Sequence, residues 1–329
     1  MFMPDIYIPA TTTPAALPIR KVNPDTDFEQ IANLIEICFG AQMDEDGQEY
    51  LRQIRRAAKN NNYLNWVRGS NEWVQLPLHG YVYLEGERII GNVTLVPFQK
   101  SGKWVYLICN VAVHPEFRQR GIGRILTRRG LEHIRQQKAS AAWLQVREDN
   151  LPAIHLYETE GFQPRAVRTL WRNRPETDLA PDPIPGLNVQ LRRRKDWPLQ
   201  KDWLEHTYPE VVAWNLPFRA DAFAPGIWKQ LVYYVRGDHV ENWVARRDNE
   251  TVGAVSWSES PYPMESIWPV VKTPEDQPTL EALLRYMRPR IPRRHPITVN
   301  YPAGQGEEAF TRTGYSKQNT LIWMEEVIE

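Results

Sequence analysis

The chain has 329 residues, 42% of them hydrophobic, and its 40 basic side chains balance 40 acidic ones. This length exceeds one ordinary domain and suits two domains of about 150 residues each. The zero net charge gives no sign of a nucleic-acid partner, so we expect none. The two cysteines, Cys38 and Cys109, exclude a disulfide framework and a cysteine-based zinc site. We therefore expect a cytoplasmic protein that uses no metal.

The first half of the chain predicts an α/β arrangement in which strands alternate with helices. Residues 1–16 contain three prolines and no basic leader, and we interpret them as a flexible arm. No long apolar run follows, so we expect no membrane segment and no membrane partner. Helical periodicity covers 25–38, with an Asp-type cap, and 44–59; strand patterns cover 80–84, 88–98, 104–113, 141–146 and 167–171.

The most informative stretch is Val111 to Gly123, which reads V-A-V-H-P-E-F-R-Q-R-G-I-G. An apolar strand runs into it, and a helical pattern starts directly at Ile122. In a loop of this kind, backbone N–H groups converge on one spot at the N-terminus of a helix. This end of the helix dipole is positive, so a polyphosphate binds favourably there. Glycines before a helix also make ordinary turns, and the spacing fits neither the P-loop nor the dinucleotide-binding loop.

Two further motifs accompany this loop in chain order. Residues 150–162 place Asn150 before a helical pattern, Tyr157 on it and Gly161-Phe162 after it, and residues 86–95 have the pattern of a strand hairpin. Together with R-Q-R-G-I-G, which resembles the signature [RQ]-x-x-G-x-[GA], they resemble the GNAT superfamily of acetyl-CoA-dependent N-acyltransferases. The resemblance covers residues 18–174 strongly and the rest of the chain weakly.

The resemblance implies a role for each part of the loop and of the following helix. The backbone N–H groups of residues 119–123 would bind the pyrophosphate of acetyl-CoA, the Val113 N–H would meet the thioester carbonyl, and Tyr157 would act as general acid. Asn150 would cap its helix or bind the pantetheine arm. The implied coenzyme A contacts are Val111, Ala112, Val113, Arg118, Gln119, Arg120, Gly121, Ile122, Gly123, Arg124, Asn150 and Tyr157. Packing in the core is the alternative for Tyr157, and it is our expectation for the side chains of Val111 and Val113.

The general base is where this chain departs from the family pattern. Many members carry a carboxylate on the fourth strand just before an Asn, whereas this chain has Cys109-Asn110. We interpret Cys109 as a small buried residue in preference to an acyl carrier, and His114 as structural. The remaining candidates for the base are Glu148 and Asp149 after the fifth strand, Glu45 and Asp46 near the acceptor region, His155, and a water molecule.

The second half of the chain repeats the first. A proline-rich linker at 175–186 separates two predicted domains, 17–174 and 187–329, whose short motifs recur in the same order. We call these predicted domains the first and second copy. In the second copy, K-T-P-E-D-Q-P at 272–278 replaces the glycine loop, and Phe310 stands in the position of Tyr157. Prolines lack N–H donors and acidic residues repel phosphate, so we expect the second copy to be degenerate.

These observations predict an α/β fold of two tandem GNAT-like domains, each with a central mixed, mostly antiparallel sheet flanked by helices. The implied function is transfer of an acetyl or related acyl group from acyl-CoA to a primary amine by direct attack. The acceptor would be a small-molecule or peptide amine. The alternative is a non-catalytic acyl-CoA-binding sensor or interaction module. The missing carboxylate favours that alternative, and Tyr157 opposes it, since mere binding does not require its hydroxyl.

Overall fold

The computed structural model describes residues 18–43, 45–60, 62–64, 76–100, 102–173, 183–226, 239–259, 265–291 and 295–328. For residues 42, 45 and 46 only the backbone is described. The predicted arm, 1–16, and most of the predicted linker lie outside these ranges.

The described elements of the two copies follow one order, β-α-α-β-β-β-α-β-α-β. The first copy contains β1 (Ile19–Lys21), α1 (Phe28–Phe39), α2 (Glu45–Lys59), β2 (Gly80–Glu85), β3 (Arg88–Lys100), β4 (Lys103–Val113), α3 (Ile122–Gln136), β5 (Ala141–Arg147), α4 (Leu151–Thr159) and β6 (Gln163–Asn173). The second copy contains β7 (Asn188–Leu191), α5 (Trp197–Thr207), α6 (Glu210–Ala213), β8 (Val240–Arg247), β9 (Glu250–Ser258), β10 (Glu265–Val271), α7 (Gln277–Met287), β11 (Ile297–Pro302), α8 (Glu307–Arg312) and β12 (Tyr315–Val327).

The described residues fall into two compact units whose main division lies between Ala142 and Trp143. Lys100 and Gly102 group with the second unit, and Ile328 groups with the first. In the first unit the strand order is β1-β2-β3-β4, with β1–β2 and β2–β3 antiparallel. The amphipathic helices α1 and α2 bury their apolar stripes in one core, which contains Phe28, Ile31, Leu34, Ile35, Leu51, Ile54, Val82 and Ile89. Helix α3 packs closely against β3 at Gly91. A Cβ on this residue would lie 2.9 Å from Leu126 Cδ1, so the absence of a side chain permits the close packing.

In the second unit the strand order is β5-β12-β6-β11-β10-β9-β8-β7. The β10–β11 pair is parallel, and the other pairs with a described register are antiparallel. This agrees with the predicted mixed, mostly antiparallel architecture. The core combines residues of the sheet with residues of α5, α7 and α8, among them Trp203, Leu204, Trp243, Val255, Leu283 and Phe310.

The two copies exchange their last strands. Strand β6, the last of the first copy, pairs with β11 and β12 of the second copy, and β12 lies between β5 and β6. Residues 143–173 therefore make their contacts in the second unit, and the division between the compact units does not follow the predicted linker. The domain boundaries at 174 and 187 stay a prediction.

Two local expectations need correction. Helix α1 begins at Phe28, and the residue at its N-cap is Asp27, whose carboxylate does not cap the helix. The carboxylate instead accepts hydrogen bonds from Arg20 Nη1 at 2.6 Å, Arg20 Nη2 at 2.9 Å and the Asn23 N–H at 2.7 Å. Strand β6 is longer than the predicted 167–171, because it pairs on both edges. Among the described residues, no helix has the length and apolar character needed to cross a membrane.

Candidate active site

The predicted phosphate loop follows β4 and leads directly into α3. Gln119 and Gly121 have left-handed backbones, with φ of 63° and 76°. Gly121 is the N-cap residue of α3, and a Cβ built on it would meet no atom within 4 Å. Glycine is therefore required here by conformation and not by crowding. The first turn of α3 contains no acidic residue, so no carboxylate of that turn competes for its N–H groups.

Two arginines of the loop brace its backbone. Arg118 Nε donates to the Val113 carbonyl oxygen at 3.1 Å, and Arg120 Nη2 donates to the Glu116 carbonyl oxygen at 3.2 Å. The Arg120 guanidinium also lies over the Phe117 ring, 4.9 Å from its centroid. Both side chains place positive charge beside the loop.

The other predicted loop residues lie at the start of α3. Ile122 is buried, Gly123 is half-buried and Arg124 is exposed. Thr127 Oγ1 donates to the Gly123 carbonyl oxygen at 2.9 Å, which fixes the first turn. The described loop therefore combines a fixed backbone with an exposed face.

The end of β4 carries a distortion that the sequence analysis missed. Asn110 has a left-handed backbone, with φ of 51°, inside a strand. Its Nδ2 donates to Tyr50 Oη at 2.7 Å, and Asn92 Nδ2 donates to the Asn110 carbonyl oxygen at 3.1 Å. Asparagine tolerates this conformation better than most residues, so an Asn within an apolar strand pattern was the available signal. This network fixes the backbone just before Val111.

Side-chain burial alternates along Val111, Ala112 and Val113. Ala112 is buried in the core under α1 and α2, whereas Val111 and Val113 are half-buried. The expectation that both valine side chains are plain core is wrong, because each is only half-buried. The Val113 carbonyl accepts from Arg118 and also from Cys38 Sγ at 3.3 Å, so the strand end is held from two sides.

Cys109 is unsuited to a nucleophilic role. Burial raises the pKa of its thiol to about 12, so the thiol is protonated at neutral pH. Burial also raises the pKa of the Tyr50 hydroxyl, and the neighbouring Cys109 adds to the shift. Neither group is a general base for an ammonium near neutral pH. Cys109 is half-buried, so the structure only partly matches its interpretation as a small buried residue.

Helix α4 carries the second motif and belongs to the second unit. Asn150 Oδ1 accepts from the Ala153 N–H at 3.3 Å, so Asn150 caps the helix as predicted. Tyr157 is 8% exposed and meets Phe162 edge-on, with ring centroids 5.9 Å apart. The Phe162 N–H donates to the Tyr157 carbonyl oxygen at 3.0 Å across Gly161, whose φ is 99°. The Gly-Phe pair therefore terminates α4 by a glycine turn.

The candidate bases differ in their surroundings. The hydrogen bond from Arg147 lowers the pKa of Asp149, with Nη2 at 2.7 Å from Oδ2, and makes Asp149 a weaker base. Glu148 Oε1 lies 3.6 Å from Lys317 Nζ on β12. His155 is exposed. The side chains of Glu45 and Asp46 lie outside the described part of the chain.

His114 has a structural environment. It is 9% exposed, and its Nε2 lies 2.8 Å from Arg88 Nη2. Because a guanidinium can only donate, this nitrogen is the acceptor. The His114 N–H donates to the Ile90 carbonyl oxygen at 2.9 Å, which ties the end of β4 to β3.

The second copy closes the corresponding helix terminus with its own side chain. Asp276, the N-cap of α7, accepts from the Thr279 N–H at 3.2 Å and from Arg247 Nη2 at 3.1 Å. Burial opposes ionisation, but hydrogen bonds from Arg247 and Thr279 outweigh it and lower the pKa of Asp276. A cavity of about 240 Å³ at this turn is lined by two cations and three carboxylates, Arg247, Lys272, Asp248, Glu250 and Asp276. This charge balance disfavours a phosphate.

Aromatic side chains fill the second copy where strands β10 and β11 part. The two strands pair only at Glu265–Ile297 and Ser266–Thr298. Beyond this point the Tyr208 ring meets the Trp268 ring edge-on, with centroids 5.1 Å apart. The Tyr208 hydroxyl donates to the Pro269 carbonyl oxygen at 3.3 Å. Phe310, which replaces Tyr157, is fully buried, and its ring stacks on the Trp171 ring with centroids 5.1 Å apart.

The comparisons with known proteins point to one family. The sequence model described as "Acetyltransferase (GNAT) family" matches residues 30–162. The chain is 30% identical over 172 residues to a mycothiol acetyltransferase of Thermomonospora curvata, which covers 52% of each protein. It is 39% identical over 59 residues to the [ribosomal protein bS18]-alanine N-acetyltransferase of Salmonella typhimurium, covering 18% of this chain and 40% of that one. The matches thus span about half or less of these curated relatives.

Solved structures match over nearly the whole chain. A GCN5-related N-acetyltransferase from Sphaerobacter thermophilus covers 97% of this chain and 98% of its own, with a TM-score of 0.56 and 18% identity. A glucosamine N-acetyltransferase region of a fungal β-N-acetylglucosaminidase covers 97% of this chain and 39% of its own, with a TM-score of 0.57 and 14% identity. At these identities the similarity shows the fold, and it confirms the predicted architecture.

Proposed function

We propose that residues 30–162, which match the acetyltransferase (GNAT) family model, form a domain of that family, and that the protein transfers an acetyl or related acyl group from acyl-CoA to a primary amine. The observation that carries the proposal is the loop between β4 and α3. It presents an open helix N-terminus at a left-handed Gly121, directly after the strand that would hold the thioester. A pyrophosphate fits such a terminus because the helix dipole and the free N–H groups both favour negative charge.

The proposed reaction is a direct attack on the thioester. The neutral amine nitrogen attacks the carbonyl carbon, and the Val113 N–H stabilises the oxyanion that forms. The C–S bond then breaks as the amide remains, and Tyr157 gives its proton to the departing coenzyme A thiolate. The proton that the amine nitrogen loses passes to a water molecule or to a carboxylate such as Glu148. The Cys109 thiol, which is protonated at neutral pH, takes no part.

The acceptor is proposed only as a primary amine, on a small molecule or a peptide. The relatives named above are a mycothiol acetyltransferase and an alanine N-acetyltransferase of a ribosomal protein, so acceptors differ widely among them. The second copy would bind no acetyl-CoA, because Asp276 occupies the helix terminus and Phe310 has no hydroxyl.

The test is a calorimetric titration of acetyl-CoA into the full chain, followed by an amine screen that detects free coenzyme A. We expect one site per chain and amine-dependent release of the thiol. Absence of binding would refute the loop assignment, and two sites would refute the degenerate second copy. Binding without turnover across the screen would favour the alternative, a non-catalytic acyl-CoA sensor.

A further inference from the structure

Helix α4 joins two strands that are not neighbours. The chain runs from β5 through α4 to β6, and β12 of the second copy lies between β5 and β6. The second copy repeats this arrangement, because β6 lies between β11 and β12 while α8 connects them. Each β-α-β connection therefore encloses the last strand of the other copy.

Strand β12 holds the segment that leads into α4. The Glu148 N–H donates to the Thr320 carbonyl oxygen at 3.0 Å, and Lys317 Nζ lies 3.6 Å from Glu148 Oε1. Glu148 is two residues before Asn150, the cap of α4. The start of the helix is thus attached to the second copy by one backbone hydrogen bond and one ion pair.

Strand β12 also meets the turn that ends α4. A Cβ on Gly161 would lie 2.5 Å from Glu326 Oε2, so the Glu326 carboxylate rests against the bare face of this glycine. Four residues on, Arg165 Nε donates to Glu325 Oε2 at 2.8 Å. Both ends of the helix that carries Tyr157 therefore contact the same strand.

The pairing of β12 with β6 includes a buried polar contact. Thr169 Oγ1 and Thr320 Oγ1 are 3.0 Å apart and buried. On the same strand, Trp323 is 2% exposed and Met324 is fully buried. A buried hydroxyl pair is costly to separate, since each group would lose its partner. The first copy by itself would leave one strand position empty between β5 and β6.

We propose that the last strand of the second copy is a working part of the first copy's acetyl-transfer site, with Lys317 as a positioning residue for Glu148 and α4. This inference rests on the proposed function, because the purpose of the positioning is to aim Tyr157 and Asn150. The second copy then contributes an essential strand, and its own lost chemistry is irrelevant to that contribution.

The first test cuts the linker. A protease site placed at 175–186 of the full chain is cleaved under native conditions, and size-exclusion chromatography and turnover are recorded before and after. We expect the two halves to elute together and to keep turnover. Separation of the halves with turnover retained by the first half would overturn the proposal. If the uncut chain shows no transfer but the cut halves still elute together, the proposed function fails and the strand exchange stands.

The second test uses substitutions in the uncut chain. We expect Lys317→Glu to reduce kcat about threefold, because two carboxylates would then face each other at a largely exposed site, while the Kd for acetyl-CoA stays within about twofold. Lys317→Arg, which keeps the positive charge, should retain the kcat of the parent chain. The matched control is Gln318→Glu, which adds a negative charge at a half-buried neighbouring residue whose side chain hydrogen-bonds Ser316 on its own strand.

Hydrogen exchange gives a readout that does not depend on activity. Lys317→Glu should increase exchange of the amides of residues 150–162, and Gln318→Glu should leave them unchanged. Equal exchange and equal kcat in both variants would refute Lys317 as a positioning residue. Faster exchange in a protein that transfers no acetyl group would preserve the positioning and refute the function.

Discussion

The loop from β4 to α3 and the turn from β10 to α7 occupy equivalent places in the two copies, but they treat a helix N-terminus in opposite ways. In the first copy, Gly121 opens the helix and no side chain caps it. In the second copy, the Asp276 carboxylate caps the helix and binds Arg247. A helix terminus has a fixed demand for negative charge, which either a ligand or the protein itself can satisfy. In the second copy the Asp276 carboxylate satisfies this demand, so the helix terminus has no place for a phosphate.

Both copies nevertheless keep a buried aspartate before their first helix, and each aspartate is bound by an arginine from a different strand, Arg20 on β1 and Arg246 on β8. Asp27 before α1 binds Arg20 at 2.6 Å, and Asp196 before α5 binds Arg246 at 2.6 Å. Both aspartates are 3% exposed or less. The repeat therefore preserved the buried aspartate before the first helix, while its arginine partner and the loop residues diverged.

The largest predicted effect comes from breaking the open loop. Gly121→Val should reduce acetyl-CoA binding below detection, because a β-branched residue cannot adopt a φ of 76° without strain and the loop would rearrange. The measurement is calorimetric titration. The matched control is Gly102→Val, since Gly102 has a φ of 77° and equally open surroundings in the hairpin between β3 and β4. Similar losses in both variants would contradict the loop assignment.

The next effect concerns the hydroxyl that distinguishes Tyr157 from Phe310. Tyr157→Phe should lower kcat by about a hundredfold with the Kd for acetyl-CoA unchanged, because the leaving thiolate loses its proton donor. Steady-state kinetics and calorimetry measure the two constants separately. Tyr301→Phe removes a buried tyrosine hydroxyl of the second copy and should leave kcat unchanged. An unaltered rate in Tyr157→Phe would remove this residue as the acid.

A smaller effect is expected at these two aspartate–arginine ion pairs. Burial opposes ionisation of Asp27, but hydrogen bonds from Arg20 and the Asn23 N–H outweigh it and lower the folded pKa. This carboxylate therefore stabilises the fold above its unfolded pKa, and the contribution disappears as the pH falls through the folded value. Arg20→Met should lower the free energy of unfolding at pH 7 by about 1–2 kcal/mol, a value reduced for the 43% exposure of Arg20.

The destabilisation by Arg20→Met should shrink as the pH falls, because a protonated Asp27 no longer needs the cation and the parent chain loses the contribution of the pair. Arg246→Met should cost more at neutral pH, since Arg246 is only 12% exposed. Circular dichroism during acid and urea titrations measures both effects. A free-energy difference between Arg20→Met and the parent chain that stays the same from pH 7 to acid pH would show that ionisation of Asp27 does not govern the effect.

The smallest effect is expected at the cap of the second copy. Asp276→Ala should lower the free energy of unfolding by about 1 kcal/mol, the usual cost of losing an N-cap side chain. Acetyl-CoA stoichiometry should remain at one, because Lys272, Glu250 and the prolines of the turn still replace the glycine loop. Urea unfolding and calorimetry test this. A second binding site in the variant would show that the carboxylate alone closed the second copy.

The sequence predicted the parts of the site that depend on local chemistry. The strand, the glycine loop and α3 lie where periodicity and glycine spacing placed them, and Asn150 caps α4 as its position before the helix indicated. The capping hydrogen bond and the left-handed glycine involve residues close in the chain, so short patterns record them. The sequence also predicted the replacement of the glycine loop by residues 272–278 in the second copy, because that change is likewise local.

Other parts of the site depend on residues far apart in the chain. The left-handed Asn110 is held by Tyr50 and Asn92, and the Val113 carbonyl by Cys38 and Arg118. Burial, which raises the pKa of Cys109, is likewise a property of the packed core. None of these contacts has a fixed sequence spacing.

The sequence by itself determined the repeated order of helices and strands, the intact loop of the first copy and its loss in the second. Only the tertiary structure decided that β12 lies between β5 and β6 and that the copies exchange their last strands. The physical reason is that periodicity specifies which face of a strand is apolar, whereas backbone hydrogen bonds to a neighbouring strand are the same for every residue type except proline. The choice of neighbour is therefore made by packing across the whole sheet.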